Sequence, residues 1–516
     1  LVEFPKIEKR FEMRAIISVS DKTGVVELAQ GLWELGVEII STGGTAQLLQ
    51  QRGIPVTPIE AVTNFPECFG GRVKTLNPYI AGGVLYRRGV DDREAEELGI
   101  KPIDIVVVNL YPFKETIERT DNLDEIIENI DIGGPTLIRS AAKNFKDVIV
   151  VVDPADYPEL LQRLREGRVD LQYRRQLAIK AFEETASYDS RIANYFNDRF
   201  NQGFGRKRFI FGTRLFKTRY GENPHQRGAL YQGGEFWSQL RILKGEPSFN
   251  NIADINQAIK IGVSIGEGSV VIVKHGNPCG AAVGKDLVES YQKALECDPI
   301  SAYGGVAAVN GILTRELAEE MSKIFLEVVV AGRITEEAME LFSRKKRIKL
   351  FDFGKAHLEI PGDLWDFKHI EGGFLFQDAD RVEADEVANA QCVTEVCLED
   401  RGDLEMAWKI AALTKSNCVV YVKNRQMVAI GMGMTSRVDA ARCAVEKAKK
   451  LGLDLTGSVM ASEAFFPFRD SVDTAAEVGV KGIIQPGGSI RDKEVIEAAN
   501  QHGIAMYFTG KRHFFH

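Results

Sequence analysis

The chain has 516 residues, 44% of them hydrophobic and 27% charged, with a formal net charge of −8. That balance is globular and excludes a disordered or collagen-like chain, and no apolar stretch approaches the ~18 residues of a membrane span. The length predicts about two to four domains with ample core, and the acidic excess excludes the all-basic surface of a nucleic-acid binder.

The predicted elements begin with Ala15-Ile16-Ile17-Ser18-Val19, a buried-strand run. Val25, Leu28, Ala29, Leu32 and Leu35 then recur at helical spacing. Val37 to Ile40 predicts a second strand, closed by Gly43-Gly44, and Ile103 to Leu110 and Val148 to Val152 predict two more. Strands alternating with helices predict a parallel sheet with right-handed crossovers. Arg174 to Tyr195 reads as a long helix that packs through Leu177, Ala181, Ala186 and Ile192. Asn201 to Arg208 is polar and Gly-containing, which predicts a linker and a domain boundary near 200–215.

Beyond the linker two stretches look related. Ser269 to Lys274 and Asn417 to Lys423 are apolar runs, each followed by a polar turn, a return run of small residues and a helical pattern, the second after Arg437. An internal duplication without a strict period is expected. The basic run Arg344-Lys345-Lys346-Arg347-Ile348-Lys349 reads as a solvated turn. Cys68, Cys279, Cys297, Cys392, Cys397, Cys418 and Cys443 are scattered, odd in number and free of CxxC pairs. They predict reduced thiols and a cytoplasmic protein. Met13 is the first methionine, and the residues before it, mixed in charge and lacking a secretory apolar core, read as an extension.

Candidate chemistry gathers at strand ends. Ser18-Val19-Ser20-Asp21-Lys22-Thr23-Gly24 follows a strand and opens a helix, where N–H groups, hydroxyls and the helix dipole suit a phosphate. Ser41-Thr42-Gly43-Gly44-Thr45 repeats the arrangement. A helix cap has the same composition. Two such loops at successive strand ends favour a ligand, because ligands sit at the carboxyl edge of open parallel sheets. Gly70 to Leu76 sets Arg72, Lys74 and Thr75 beside two glycines; Asn109-Leu110-Tyr111 brings a phenol to the same edge. Asp131-Ile132-Gly133-Gly134 starts a helix carrying Arg139 and Lys143, and Asp131 taken alone reads as an N-cap. Cation, phenol, carboxylate and amine together make the case for chemistry.

In the second region Arg219-Tyr220-Gly221-Glu222 opens a polar, turn-rich stretch, and Lys274-His275-Gly276-Asn277-Pro278-Cys279-Gly280 ends an apolar strand. A lone His is more often structural, but His275 beside Lys274 at a strand end suits a general base. Pro278-Cys279 resembles a zinc-deaminase fragment that lacks its His-x-Glu and second Cys, so no zinc is expected. Asp298 to Gly305 and Phe465 to Asp470 are aromatic loops, in which Phe465 and Phe466 either stack on a heterocycle or pack in the core. Gln485 to Ser489 is a further polar cradle.

In order along the chain, SVSDKTG (18–24), STGGTA (41–46), GGRVKTL (70–76), NLYPF (109–113), IDIGG (130–134), RYGENPHQ (219–226), KHGNPCG (274–280), SNCVVY (416–421), FFPFRD (465–470), QPGGS (485–489) and RHFFH (512–516) resemble the motifs of the AICAR transformylase/IMP cyclohydrolase family. The likeness runs from about Met13 to His516. It implies an α/β chain: a methylglyoxal-synthase-like parallel-sheet domain at 13–205, the cyclohydrolase, then two cytidine-deaminase-like α/β subdomains without zinc at 206–516, the transformylase. It implies formyl transfer from 10-formyltetrahydrofolate, as cosubstrate, to AICAR, then dehydrative closure of formyl-AICAR to IMP. Neither step requires a metal. A homodimer with the transformylase site at its interface is implied, with no nucleic-acid or membrane partner.

The resemblance also implies residue roles. For formyl transfer, Lys274 and His275 match the catalytic pair and Asn417 an orienting residue. Arg219, Tyr220, Gly304, Arg437, Phe465 and Arg512 match nucleotide contacts, Glu327 more loosely an acidic contact, and Ser489 and Ile490 the folate region. For ring closure, Lys74, Tyr111, Asp131 and Lys143 match the implicated residues. Ser20, Lys22, Thr42, Gly43, Gly44, Thr45, Arg72, Thr75 and Asn109 match the nucleotide site. The chain departs from the pattern at Asn77 and Ala81, where the family carries His; at Phe515, where it carries Arg; and at Val330-Ala331-Gly332-Arg333. An amide cannot titrate near neutral pH, so Asn77 motivates a second reading: a transformylase with an impaired cyclohydrolase domain. A non-catalytic nucleotide sensor is a third reading, against which the intact Lys274-His275 and Lys74-Thr75 pairs argue.

Overall fold

The structure, a computed structural model, describes residues 12–363 and 365–516. The extension read before Met13 therefore lies almost wholly outside the described residues. The chain divides into two compact units after Phe211, inside the expected boundary window and slightly beyond the 205/206 cut.

The first unit is a five-stranded parallel sheet. Its strands are β1 (Met13–Val19), β2 (Val37–Ser41), β3 (Thr57–Pro58), β4 (Ile105–Asn109) and β5 (Ile149–Val151), in the order β3-β2-β1-β4-β5. Each pairing is parallel. The strands read as continuous apolar runs because helices cover both faces. Ile16, Ile40, Val106, Val107 and Val150 are fully buried in one core with Leu28, Leu32, Ile138 and Leu177 from the helices. The long helix runs Leu171–Phe200, further at both ends than its apolar spacing predicts; its earlier start follows from Asp170, which caps it by accepting from the Tyr173 amide.

The second unit adds β6 (Thr213–Thr218) and β7 (Gly228–Gln232), a separate hairpin. Next come β8 (Arg241–Lys244), β9 (Ser269–Lys274), β10 (Asn277–Val283), β11 (Val306–Leu313), β12 (Val328–Ile334) and β13 (Lys349–Asp352). A second hairpin, β14 (Trp365–Ile370) and β15 (Gly373–Asp378), precedes β16 (Gln391–Cys392), β17 (Val419–Lys423), β18 (Gln426–Gly431), β19 (Val459–Ser462), β20 (Gly482–Gln485) and β21 (Ala505–Phe508). Twelve of these form one mixed sheet, β16-β21-β20-β19-β17-β18-β10-β9-β11-β12-β13-β8.

The expected duplication is present in this order. β9 pairs antiparallel with β10 and β11, and β12 and β13 follow in parallel. β17 does the same with β18, β19, β20 and β21. Even the tight turns agree. His275 (φ 54°) and Gly276 (φ 74°) join β9 to β10; Asn424 (φ 52°) and Arg425 (φ 59°) join β17 to β18. Paired positive φ values are what a two-residue hairpin turn demands. Asp254 accepts from the amides of His275 (3.3 Å) and Gly276 (2.6 Å), as Asp403 accepts from Asn424 (2.9 Å) and Arg425 (2.7 Å).

The halves meet through β10 and β18, antiparallel at Ala282 and Gln426. They are therefore turned end for end, and the carboxyl end of β9 shares a sheet edge with the start of β17.

One expectation is corrected. Cys392 and Cys397, read as reduced thiols, form a disulfide, because the turn between them brings their Cα atoms to 6.1 Å. A sequence search for CxxC pairs misses that spacing. Cys68, Cys279, Cys297, Cys418 and Cys443 are free. Among the described residues no helix is long and apolar enough to cross a membrane. Of the basic run read as a solvated turn, Arg344 to Arg347 are exposed, but Ile348 is buried and Lys349 begins β13 with its amine bonded to Asn251 and Glu327, because the strand pairs into the sheet there.

Candidate active sites

In the first unit a cavity of about 620 Å³ opens at the carboxyl ends of β1, β2 and β4. This is where the strand order reverses, the usual ligand position in such sheets. Ser20, Lys22, Thr42, Gly43, Gly44, Thr45, Arg72, Lys74, Thr75, Asn109, Tyr111 and Asp131 all line it. Two helices, Gly43–Gln51 and Gly133–Lys143, point their N-termini at it. The first has no side-chain cap, and its free N–H groups suit an anion; in the second the Gly134 amide is taken by Asp131 and Pro135 carries no N–H. Asn109 braces the first loop: its Oδ1 accepts from the amides of Ser20 (2.5 Å) and Asp21 (2.9 Å), and its Nδ2 donates to the Asp21 carbonyl (2.9 Å). Lys22 Nζ donates to the Val19 carbonyl and to Thr45 Oγ1, and burial lowers its pKa.

The end of the cavity that holds Lys74, Thr75 and Asp131 is tightly built. Lys74 Nζ is 3.2 Å from Glu67. A Cβ on Gly133 would lie 2.6 Å from Thr75 Oγ1, and one on Gly134 2.5 Å from Asp131 Oδ2. Glycine at 133 and 134 is what lets the helix start approach Thr75 and Asp131. Asp131 Oδ1 accepts from the Gly134 amide (2.8 Å), and the Asp131 amide donates to the Tyr188 hydroxyl (2.9 Å). Burial raises the Asp131 pKa against the pull of backbone bonds from Gly134 and Tyr111. Asp131 is thus both a brace for the helix start and a carboxyl group shifted toward protonation.

Lys143 does not line this cavity. It is exposed at the far end of its helix, ten residues past Gly133, or about 15 Å along the axis. Asn77 and Ala81 are outside the lining too. Asn77 caps the helix Pro78–Leu85 by accepting from the Tyr79 amide (2.9 Å). Glu67 and Tyr188 support the site without any mark in the sequence, since each acts through a contact that only folding creates.

In the second unit the candidates gather along one edge of the large sheet. Lys274 and His275 end β9; Gly304 and Glu327 precede β11 and β12; Asn417 precedes β17; Phe465, Ser489, Ile490 and Arg512 follow β19, β20 and β21. Arg219 and Tyr220 follow β6, and Asn250 Nδ2, bonded to the Glu222 carbonyl at 3.2 Å, ties their loop to the helix that carries Asp254. Lys274 Nζ donates to the Tyr303 carbonyl (2.7 Å), while the His275 ring is exposed. Glu327 accepts from Asn251 Nδ2 (3.0 Å) and Lys349 Nζ (3.1 Å). Burial alone would raise its pKa, but those two bonds lower it.

Around Asn417 the network is denser. Arg437 Nη2 donates to Asn417 Oδ1 (2.7 Å), and its Nη1 donates to Glu463 Oε2 (2.7 Å) and Ser462 Oγ (2.7 Å). Arg437 and Glu463 are both buried. Sequence reasoning singled out Arg437 and missed Glu463, an acid between a buried strand and an aromatic loop. The two phenylalanines divide the roles offered to them: Phe465 is exposed and Phe466 fully buried. Lys274 and Asn417 stand three strand intervals apart, about 14 Å. Gly332, one of the departures, is sterically required, because a Cβ there would lie 2.8 Å from the Lys355 carbonyl. Among the described residues no cluster of three or more His, Cys, Asp or Glu is placed to hold a metal ion.

Comparison with known proteins bears on the family. Residues 141–447 match the AICARFT/IMPCHase bienzyme family and residues 24–136 the MGS-like domain. The chain is 48% identical over 515 residues to the bifunctional purine biosynthesis protein PurH of Aquifex aeolicus (strain VF5), covering 98% of this chain and 100% of the relative. It is also 48% identical over 520 residues to PurH of Persephonella marina (strain DSM 14350 / EX-H1), covering 98% and 99%. A solved structure, the crystal structure of ForH, matches 35% of this chain and 97% of its own at 40% identity, with a TM-score of 0.33. With an MGS-like parallel sheet followed by a mixed α/β unit, and full-length relatives at this identity, the chain belongs to the AICARFT/IMPCHase bienzyme family.

Proposed function

We propose that the chain carries out the last two steps of IMP synthesis, with formyl transfer at the edge of the twelve-stranded sheet and ring closure in the first-unit cavity. In the first step the 5-amino nitrogen of AICAR attacks the formyl carbon of 10-formyltetrahydrofolate. The bond from that carbon to N10 breaks and tetrahydrofolate leaves with a proton. The amine is a weak nucleophile beside an electron-withdrawing carboxamide. His275 takes its proton, Lys274 stabilises the oxyanion, and Asn417, held by Arg437, orients the reacting groups. Arg219, Tyr220, Gly304, Phe465 and Arg512 hold the nucleotide, Glu327 makes an acidic contact, and Ser489 and Ile490 face the folate.

In the second step the carboxamide nitrogen attacks the new formyl carbon and water is lost. The uncapped start of the helix Gly43–Gln51, with Thr42, Gly43, Gly44 and Thr45, binds the phosphate. Lys74 and Tyr111 stabilise charge on oxygen and Asp131 supplies the proton; Lys143, apart from the lining, is left without a part in this step. We also infer a homodimer that brings Lys274 and Asn417 edges from two copies together, and a cytoplasmic location.

The observation that carries the reading is the convergence of Lys74, Thr75, Tyr111 and Asp131 with the uncapped N-terminus of the helix Gly43–Gln51 on one cavity. The position of Asn77 outside that lining favours an intact cyclohydrolase over an impaired one. The test is a two-stage assay: supply AICAR and 10-formyltetrahydrofolate, then separate AICAR, formyl-AICAR and IMP. IMP as main product is expected. Accumulation of formyl-AICAR without IMP revives the impaired reading, and no formylation at all rejects the proposal. Sedimentation tests the dimer.

A further inference from the structure

The C-terminal tail ends in a buried imidazole that the reaction as described does not use. His513 is 2% exposed. Its Nδ1 is 2.9 Å from both Asp380 oxygens and its Nε2 2.9 Å from Glu386 Oε2. Ionised carboxylates only accept, so a ring that faces one on each side satisfies both by carrying both protons. The other groups packed here are Trp408, whose indole donates to the same Glu386 oxygen (2.9 Å), and Lys511, whose Nζ is 3.2 Å from Glu386 Oε1. Glu383 and Asp385 add negative potential on the Lys511 side. Burial alone would lower the His513 pKa, but the bonds to Asp380 and Glu386 outweigh it and raise it.

The backbone beside this ring supports the formyl-transfer residues. The His513 amide donates to the Glu463 carbonyl (3.0 Å), and the Phe515 carbonyl accepts from the Ser416 amide (2.8 Å). Ser416 Oγ donates to Glu463 Oε1 (2.6 Å), and the other Glu463 oxygen holds Arg437, which holds Asn417. The duplicated half gives a comparison within the molecule. Gly354-Lys355-Ala356-His357 follows β13 as Gly510-Lys511-Arg512-His513 follows β21. His357 is 44% exposed and has one carboxylate, Glu267, at 3.6 Å. The two-sided clamp exists only in the half that carries Asn417.

We propose that His513 is a positioning residue for formyl transfer: as an imidazolium between Asp380 and Glu386, it locks the tail against Ser416 and Glu463 and so holds Asn417 and Arg437 in register. This rests on the formyl-transfer reading above. Deprotonation at alkaline pH releases the clamp, so transfer declines there while ring closure, in the other unit, does not follow it.

The test uses the full chain. Formyl transfer is measured against pH for wild type, Asp380→Asn and His513→Gln, with closure of supplied formyl-AICAR as the control. Asp380 is half exposed, so its amide variant is compatible with folding even where His513→Gln is not. The expected result is an alkaline limb in wild type that moves to lower pH in Asp380→Asn. In His513→Gln the limb is absent and KM for AICAR rises about tenfold with closure unchanged. In wild type, ¹⁵N NMR of the imidazole at neutral pH should show both His513 nitrogens protonated. An unmoved limb in Asp380→Asn, or a neutral ring, overturns the inference while leaving the enzyme reading intact. Wild type that makes no formyl-AICAR rejects the enzyme reading itself.

Discussion

Asp131 carries two duties that pull in opposite directions. Its backbone bonds favour the carboxylate, while burial disfavours it and prevails, so its folded pKa lies above the ordinary 3.8. Between 3.8 and that raised value the folded chain binds more protons than the unfolded one, so this group's contribution to stability falls as pH rises through the window and stays reduced above it. Asp131→Asn keeps an oxygen for the Gly134 amide and removes the buried charge. Ring closure should fall by about 10²- to 10⁴-fold, the usual worth of an acid–base group, while the first unit melts higher at pH 7 than wild type. Calorimetry beside a closure assay checks both, and a variant that melts lower would contradict the burial argument. Glu463 is the opposite case, a buried acid with its cation in place. Glu463→Gln leaves Arg437 without a carboxylate, which should cost the second unit about 3–5 kcal/mol in urea unfolding and weaken formyl transfer. A variant as stable as wild type would mean that Ser462, Asn417, the Cys418 carbonyl and the amide oxygen at 463 satisfy Arg437 without a carboxylate.

At the scale of elements, the duplication explains which glycines matter. β10 and β18 each lie against the helix that follows. A Cβ on Gly280 would stand 2.0 Å from the Ala294 carbonyl oxygen, and one on Gly431 1.9 Å from that of Ala440. Both obstacles are helix backbone, which cannot swing aside. Gly280→Ala and Gly431→Ala should each destabilise by at least the ~1–3 kcal/mol of ordinary overpacking, read from chemical denaturation. Alanine at Gly276 meets open space but has a positive φ of 74°, so its cost should be smaller, about 1 kcal/mol. The two turns also show how far pattern reading reaches. The apolar runs, small-residue returns and following helices of both halves are legible along the chain. That His275 opens a turn at the edge where the candidate residues gather, while Asn424 opens the matching turn at the opposite edge, is not legible, because the end-for-end relation arises only when β10 pairs with β18.

For the whole molecule, each unit has hydrophobic cores of its own. One cluster runs from Ala15 to Tyr188. The others lie between Leu240 and Tyr507. Each unit also carries one complete set of candidate residues. Residues 12–211 alone should close supplied formyl-AICAR, and residues 212–516 alone should formylate AICAR, each within about tenfold of the full chain, since domains with separate cores fold independently. Activity recovered only when both pieces are present would place a needed group in the other unit.

The sequence by itself determined the parallel sheet of the first unit, the repeat in the second and the family, and it proposed the candidate residues at both sites. These depend on local periodicity and on short motifs whose residues act near where they stand in the chain. Only the tertiary structure decided that Asp131 is shifted toward protonation, that Lys143 stands apart from the cavity, that Phe465 is exposed and Phe466 buried, and that Cys392 and Cys397 are joined. It alone decided that Glu463, Glu67, Tyr188 and His513 support residues far away in sequence. Burial, and contacts between distant segments, are properties of packing, and no single segment contains them.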